Sequence, residues 1–214
     1  MLNGKQQQLE KRWYDSLEAG HPDYGIYSDD AYFDELKLCF KKYSSRYLKD
    51  ITKFIPSTIR TIVDLGCGTG ETCVVLKQLF PNAKVCGTNI PGTRQYELCK
   101  FNSEQNDFIL APGISELPIE SADLLFASEY FEHIGRPLEH LEVIMTLLTP
   151  TYMVIANSFN TRAAGHFLEY KDGPDTIACS RISRMFNSFI KDCGLTRIKT
   201  GLWNDRPAYW RREL

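Results

Sequence analysis

The sequence predicts an α/β fold: a single doubly wound, mostly parallel sheet of about seven strands, flanked by helices and completed by a C-terminal antiparallel hairpin. Two observations predict it. From residue 57 onward, short β-branched and apolar runs alternate with segments of helical periodicity, as right-handed βαβ crossovers require. The first of these runs also ends in a glycine-rich turn, which is how a strand of an open sheet leads into a ligand site.

Residues 1–56 precede this alternation and predict helices. Residues 5–17 predict a short helix, which the Gly20-His21-Pro22 sequence ends. Apolar residues then recur at helical spacing from Leu36 to Tyr47 and predict a second helix. We expect residues 1–56 to form a helical lid on an α/β domain at 57–214, the two making one structural domain.

The remaining elements follow in alternation. Strands are predicted near 62–65, 84–87, 107–110, 123–127 and 152–157, and two strand-like runs near 195–202 and 208–211 predict a hairpin that turns at Asn204-Asp205. Helices are predicted near 70–80, 92–101, 138–148 and 182–190.

Composition limits the classes of function. At 214 residues the chain is long enough for one domain with a sizeable core, and a net charge of −2 argues against a nucleic acid as the main partner. Seven cysteines form no CxxC pair, which predicts reduced thiols and neither a disulfide framework nor a metal site. The sequence lacks a signal-peptide core and a bilayer-length apolar run, so we expect a cytoplasmic protein without membrane contact.

The run from Thr61 to Gly70, TIVDLGCGTG, is the most specific feature of the sequence. Its three alternating glycines allow positive φ and bring a ligand close to the main chain, ahead of a helix that offers unpaired N–H groups. Asp64 would repel a pyrophosphate but would neutralise the ammonium of an amino-acid ligand. A ligand that combines adenosine with an amino acid, S-adenosylmethionine, fits both features.

In this run the chain resembles the class I S-adenosylmethionine-dependent methyltransferases, whose first motif has the form DxGxGxG. The resemblance covers the chain from about residue 59 to its end and implies the fold predicted above. It implies that S-adenosylmethionine is the cofactor and that the first motif binds it, through Asp64, Gly66, Cys67, Gly68 and Gly70.

Two further segments match the cofactor motifs of the family with substitutions. The family's second strand usually ends in an acidic residue that holds the ribose, and here Asn89 stands at that point, followed by Ile90. The segment 112–118, PGISELP, resembles the family's GDAxxLP, with Gly113 where an Asp usually lies. The resemblance implies adenine contacts at Gly113, at the N–H of Ile114 and at Ser115 or Glu116.

The segment 123–134, DLLFASEYFEHI, resembles the motif that follows the fourth strand of the family. Its Glu129, Glu132 and His133 lie where an acceptor would bind, and His133, Glu129 and the loop residue His166 are the candidate catalytic residues. A purely structural role for Glu132 and His133, in a cap or a loop contact, is equally open. The resemblance also implies that N-terminal residues, Tyr27 among them, fold over the cofactor.

The predicted function is therefore methyl transfer from S-adenosylmethionine to a small polar acceptor, with a hydroxyl of a sugar or similar metabolite favoured. One alternative is a nucleic-acid methyltransferase, suggested by Arg206, Arg211 and Arg212. The other is a cofactor-binding protein without catalysis, suggested by Asn89 and Gly113.

Overall fold

A computed structural model describes residues 4–202 and 206–213. In these residues seven strands form one sheet: β1 (Thr61–Leu65), β2 (Lys84–Thr88), β3 (Ile109–Ala111), β4 (Leu124–Ser128), β5 (Tyr152–Ala156), β8 (Leu195–Ile198) and β9 (Ala208–Arg212). Their order in the sheet is β3-β2-β1-β4-β5-β9-β8. The first five are parallel, and β9 runs antiparallel to both β5 and β8. The predicted fold class is confirmed.

Helices cover both faces of the sheet. They are α3 (Ser45–Ile51), α4 (Glu71–Leu79) and α5 (Arg94–Asn106) on one face, and α6 (Pro137–Leu148) and α7 (Cys179–Asp192) on the other. Because strand side chains alternate in direction, Ile62 packs against the first group of helices and Val63 against the second. The central strands are consequently buried on both sides, which explains their nearly uninterrupted apolar sequences.

The N-terminal segment forms a third, smaller core. It contains α1 (Gly4–Glu18), a 3₁₀ turn (Tyr24–Ser28) and α2 (Asp30–Cys39), which continues through a π turn (Phe40–Ser44) into α3. The Asp29 carboxylate caps α2 by accepting a hydrogen bond from the N–H of Ala31. Buried apolar and aromatic residues of this core include Leu9, Trp13, Ile26, Tyr27 and Ala164. Ala164 belongs to the loop after β5, so this core joins the N-terminal helices to that loop.

The described part of the chain contains two hairpins, one of which the sequence does not predict. Between β5 and α7, where the sequence predicts no strand, the chain forms a separate hairpin of β6 (Glu169–Asp172) and β7 (Asp175–Ala178). The β8–β9 pairing confirms the C-terminal hairpin, whereas its predicted Asn204-Asp205 turn lies outside the described residues. Among the described helices, none combines the length and the apolarity needed to cross a bilayer.

Candidate cofactor and acceptor site

Two adjoining cavities lie at the carboxyl ends of β1, β2 and β4, with volumes of about 270 Å³ and about 100 Å³. The larger is lined by the ends of β2 and β3, and the smaller by the glycine turn and the loop after β5. They share six wall residues: Tyr32, Leu36, Gly66, Gly68, Glu129 and His133. They therefore form one site, located where an open α/β sheet usually binds its ligands.

The glycine turn has the geometry that the sequence predicts. Gly66, Gly68 and Gly70 have φ of 62°, 57° and 92°, in the left-handed region that favours glycine. A Cβ at Gly66 would lie 2.4 Å from Cδ2 of Tyr130, whereas the nearest atom to a Cβ at Gly68 is Leu36 Cδ2, at 3.9 Å. The turn thus exposes its main chain to the cavity at Gly68 and is covered there by α2.

Asp64 lies beneath this turn and lines the smaller cavity. It is 2% exposed, and burial raises the pKa of its carboxyl to about 8. Its Oδ2 accepts a hydrogen bond from the thiol of Cys73. Cys67 is also buried, with its Sγ 3.4 Å from that of Cys99 and its N–H donating to the carbonyl of Thr88. A ligand ammonium would stabilise the ionised form of Asp64.

Asn89 uses both ends of its amide on the main chain. Its Nδ2 donates to the carbonyl of Gly68 at 2.6 Å, and its Oδ1 accepts from the N–H of Ile90 at 2.8 Å. The donor role is one that an aspartate cannot fill. The amide therefore connects the end of β2 to the glycine turn, in addition to lining the larger cavity.

The third predicted cofactor segment contributes two residues to the larger cavity, Gly113 and Ile114. Gly113 is extended, so its backbone admits any residue. The Ser115 hydroxyl instead donates to the carboxylate of Glu116. Neither Ser115 nor Glu116 is among the described residues that line the two cavities.

The candidate catalytic residues converge beyond the end of β4. Glu129 has a φ of 53°, a strained conformation for a residue other than glycine, and its carboxylate pairs with Arg206. Glu132 is fully buried, and its Oε1 accepts from the N–H of Ser158 at 2.6 Å. Glu132 thus makes the loop contact that the structural interpretation expects.

His133 and His166 face each other edge to face, with ring centroids 4.7 Å apart. His133 Nδ1 lies 3.2 Å from the hydroxyl of Tyr27, and His166 Nδ1 lies 2.8 Å from the carbonyl of Thr161. Burial lowers the pKa of both imidazoles below the usual value, so both are neutral near pH 7. A neutral imidazole can accept a proton.

The N-terminal core holds this cluster in position. The indole N–H of Trp13 donates to the carbonyl of His166 at 2.7 Å, and the Tyr14 hydroxyl bonds to the main chain of Ala163. Tyr27 packs edge-on against Tyr32, with ring centroids 4.8 Å apart. These aromatic residues contribute packing and also contact the site directly.

Sequence reasoning missed three residues of the site. Arg206 was interpreted as part of a basic tail, yet it pairs with Glu129 and donates to Ser158. His140, in α6, bonds to the hydroxyl of Tyr130, with Nε2 and the hydroxyl oxygen 2.8 Å apart. Tyr130 had no assigned role and lies against Gly66. The position of Tyr130 next to Glu129 in the matched motif was the only available signal.

Comparisons with known proteins agree with this geometry. A model described as a methyltransferase domain matches residues 58–190. Trans-aconitate 2-methyltransferase of Deinococcus radiodurans is 33% identical over 110 residues, which are 48% of this chain and 42% of that protein. Malonyl-[acyl-carrier protein] O-methyltransferase of Hahella chejuensis is 28% identical over 104 residues, 47% of this chain and 37% of that protein. The chain spans about two fifths of the length of these relatives.

An O-methyltransferase family protein from Burkholderia thailandensis has the same fold, with a TM-score of 0.63 at 12% identity, over 98% of this chain and 70% of that one. The strand order and the glycine turn after β1 define a class I, Rossmann-like methyltransferase fold. The chain belongs to the methyltransferase domain family, whose class I members use S-adenosylmethionine. The described residues suit this cofactor, because Gly68 is open to the cavity and Asp64 lies beside it.

Proposed function

We propose that this chain transfers a methyl group from S-adenosylmethionine to an oxygen of a small polar acceptor, with a hydroxyl of a sugar or similar metabolite as the favoured acceptor. One observation carries the proposal. Glu129 and His133 line both cavities, so polar side chains lie next to the glycine turn, on the side where the methyl group of the cofactor would be presented.

Methyl transfer from a sulfonium is an in-line displacement, in which the acceptor oxygen lies opposite the departing sulfur. Alignment of the two reactants supplies up to about 7–11 kcal/mol. A hydroxyl also needs to lose its proton as the O–CH₃ bond forms and the S–CH₃ bond breaks. A positioned base adds roughly 10²–10⁴-fold.

His133 is the proposed base. It is neutral, it lines both cavities, and its Nδ1 is oriented by the hydroxyl of Tyr27. His166 and Glu129 stand beside it and orient the acceptor. In this proposal residues 1–56 act as a lid on the domain at 57–214, since Leu36 covers Gly68 and Trp13 bonds to the carbonyl of His166.

Two observations support a small acceptor. The cavity of about 100 Å³ is lined by Asp64 and the glycine turn as well as by His133 and His166. N-terminal residues such as Tyr32 close it, so the space beside the cofactor suits a compact polar group. The relatives' names specify trans-aconitate and malonyl-[acyl-carrier protein], and one of them specifies methylation on oxygen.

The tail arginines give little support to a nucleic-acid acceptor. Arg206 pairs with Glu129, and Arg212 donates to the carbonyls of Pro150 and Cys193. Only Arg211, of the three, is exposed. Phosphate binding depends on clustered free cations, and two of these three are used within the protein.

The test is transfer of a labelled methyl group from S-adenosylmethionine to a panel of sugars, hydroxy acids, di- and tricarboxylates and RNA, with the methylated atom identified by NMR. We expect label in a hydroxyl-bearing small molecule. His133→Ala should lower turnover by about 10²-fold or more and leave cofactor affinity nearly unchanged. His21→Ala, in the exposed turn after α1, is the matched control and should have no effect.

Two results would contradict the proposal. Label in RNA with none in the small molecules would identify a nucleic-acid methyltransferase. Binding of the cofactor without transfer to any member of a broad panel would favour the non-catalytic alternative. A His133→Ala protein that keeps its turnover per folded molecule would remove His133 as the base and direct the test to His166.

A further inference from the structure

Three side chains beyond the end of β4 offer their ligand atoms to one point. A carboxylate oxygen of Glu129, one of Glu132 and an imidazole nitrogen of His166 all lie within 4.8 Å of one another. Three ligands that bind one ion at about 2.1 Å lie roughly 3.0–3.6 Å from one another. Separations of up to 4.8 Å would therefore have to shorten by about 1–2 Å, which requires rotamer adjustment of the side chains around the cation.

The second carboxylate oxygen of Glu132 supplies an independent observation. Glu132 is 0% exposed, and its Oε2 has no hydrogen-bond partner among the described residues. Buried polar atoms are normally satisfied, so an unpartnered carboxylate oxygen inside a cluster of other ligand atoms calls for a bound group.

His166 has the proton arrangement of a metal ligand. The Thr161 carbonyl accepts the hydrogen bond at Nδ1, which fixes the proton there and leaves the lone pair on Nε2. A backbone carbonyl on the far ring nitrogen is the usual outer partner of a histidine bound to a metal. The bond from Trp13 to the carbonyl of His166 holds the main chain of this residue.

We propose that Glu129, Glu132 and His166 bind one divalent first-row cation beside the acceptor cavity. Two carboxylates with one imidazole form a mixed oxygen and nitrogen set that suits such a cation better than Mg²⁺ or Ca²⁺, which take oxygen ligands, and Mn²⁺ serves as the probe because EPR detects it. This proposal departs from the expectation, drawn from the sequence, that the chain has no metal site. That expectation rests on the absence of a CxxC pair, whereas these ligands are brought together by the fold.

The role of the ion rests on the proposed function. At this position it would act as a Lewis acid on the acceptor hydroxyl, so that the proton passes to His133 while the methyl group leaves the sulfur. Arg206 pairs with Glu129 on one side of the cluster, and within the described part of the chain Glu132 has no ion pair. The competing possibility is that Arg206 alone neutralises the pair and that no ion binds.

The test is a titration of the whole chain, first stripped with a chelator, with Mn²⁺ followed by EPR, without cofactor or acceptor. We expect one saturable site per chain and, in pulsed EPR, coupling of the bound Mn²⁺ to a histidine nitrogen. Glu132→Gln preserves size and the acceptor for the N–H of Ser158, and it should weaken Mn²⁺ binding at least tenfold. Glu142→Gln, exposed on α6, is the matched control and should bind like the parent.

Absence of a saturable site in the parent chain, or a bound Mn²⁺ without nitrogen coupling, would overturn the proposal. So would a Glu132→Gln protein that binds as tightly as the parent. Since the parent spectrum alone reports the histidine ligand, the test survives a variant that fails to fold. S-adenosylhomocysteine binding, measured on the same sample, separates the metal proposal from the proposed function. If the protein binds S-adenosylhomocysteine but has no Mn²⁺ site, only the metal proposal is refuted.

Discussion

Binding of S-adenosylhomocysteine should release a proton from Asp64. Burial raises the pKa of this carboxyl to about 8, and its only described hydrogen-bond donor is the neutral thiol of Cys73. Below pH 8 the carboxyl therefore holds a proton in the free protein. The ligand ammonium favours the carboxylate, so binding removes that proton and the affinity rises with pH.

The size of the effect follows from the pKa. The ionised fraction of a group with a pKa of about 8 is about 1% at pH 6 and about 50% at pH 8, so the affinity should rise about 50-fold over this range. At pH 7 about 0.9 proton should be released per ligand bound. Titration calorimetry at pH 6, 7 and 8, with two buffers of different ionisation enthalpy at pH 7, measures both quantities.

Asp64→Asn is the matched variant, because an amide of nearly the same size can still accept from Cys73 but cannot ionise. It should bind more weakly than the parent at pH 8 and lose the pH dependence, with its fold checked by circular dichroism. Equal affinity of the parent at pH 6 and pH 8, with no dependence on buffer, would refute the role given to Asp64.

Two further variants test the glycine turn and its support. Gly66→Ala should lower the free energy of unfolding by about 1–2 kcal/mol, because alanine disfavours the left-handed backbone at this position. Overpacking should lower it by about 1–3 kcal/mol more, because the new Cβ would lie 2.4 Å from the Tyr130 ring. Cofactor binding should also be lost. Gly173 is the matched control, because its φ is similar and a Cβ there would meet open space. In denaturant unfolding, Gly173→Ala should show only the loss due to the left-handed backbone. Equal losses in the two variants would contradict the overpacking against Tyr130. Asn89→Asp should weaken cofactor binding about tenfold, because aspartate cannot donate to the Gly68 carbonyl, and tighter binding would instead support a ribose acceptor.

The sheet could be predicted because its signals are local. Each central strand is a short apolar run between turn residues, and the helices between strands show their own periodicity, so alternation alone gives the order of elements. The β6–β7 hairpin gives no such signal. Its strands, Glu169–Asp172 and Asp175–Ala178, bury one residue each, Tyr170 and Ile177, and the rest of their sequence is polar or small.

The place of the candidate cofactor pocket could be predicted for a similar reason, because the glycines, Asp64 and Asn89 lie at the ends of recognisable strands. The contacts that these residues make in the folded chain could not be predicted from the sequence. The donor role of Asn89 depends on its distance from Gly68, a residue of the turn after a different strand.

The acceptor side depends on contacts between segments that lie far apart in the chain. Arg206 meets Glu129 only because β9 is inserted beside β5, and His166 meets Glu132 only because the loop after β5 folds back over the end of β4. No spacing in the sequence encodes these contacts, and the unpartnered oxygen of Glu132 is visible only in the folded chain.

Hydrogen exchange with and without S-adenosylhomocysteine tests most directly whether the glycine turn holds the cofactor. The ligand should slow exchange in peptides that cover residues 64–70, 89–90 and 112–114, and leave peptides of α7 unchanged. Protection confined to other regions, or no protection at saturating ligand, would contradict the assignment of this site.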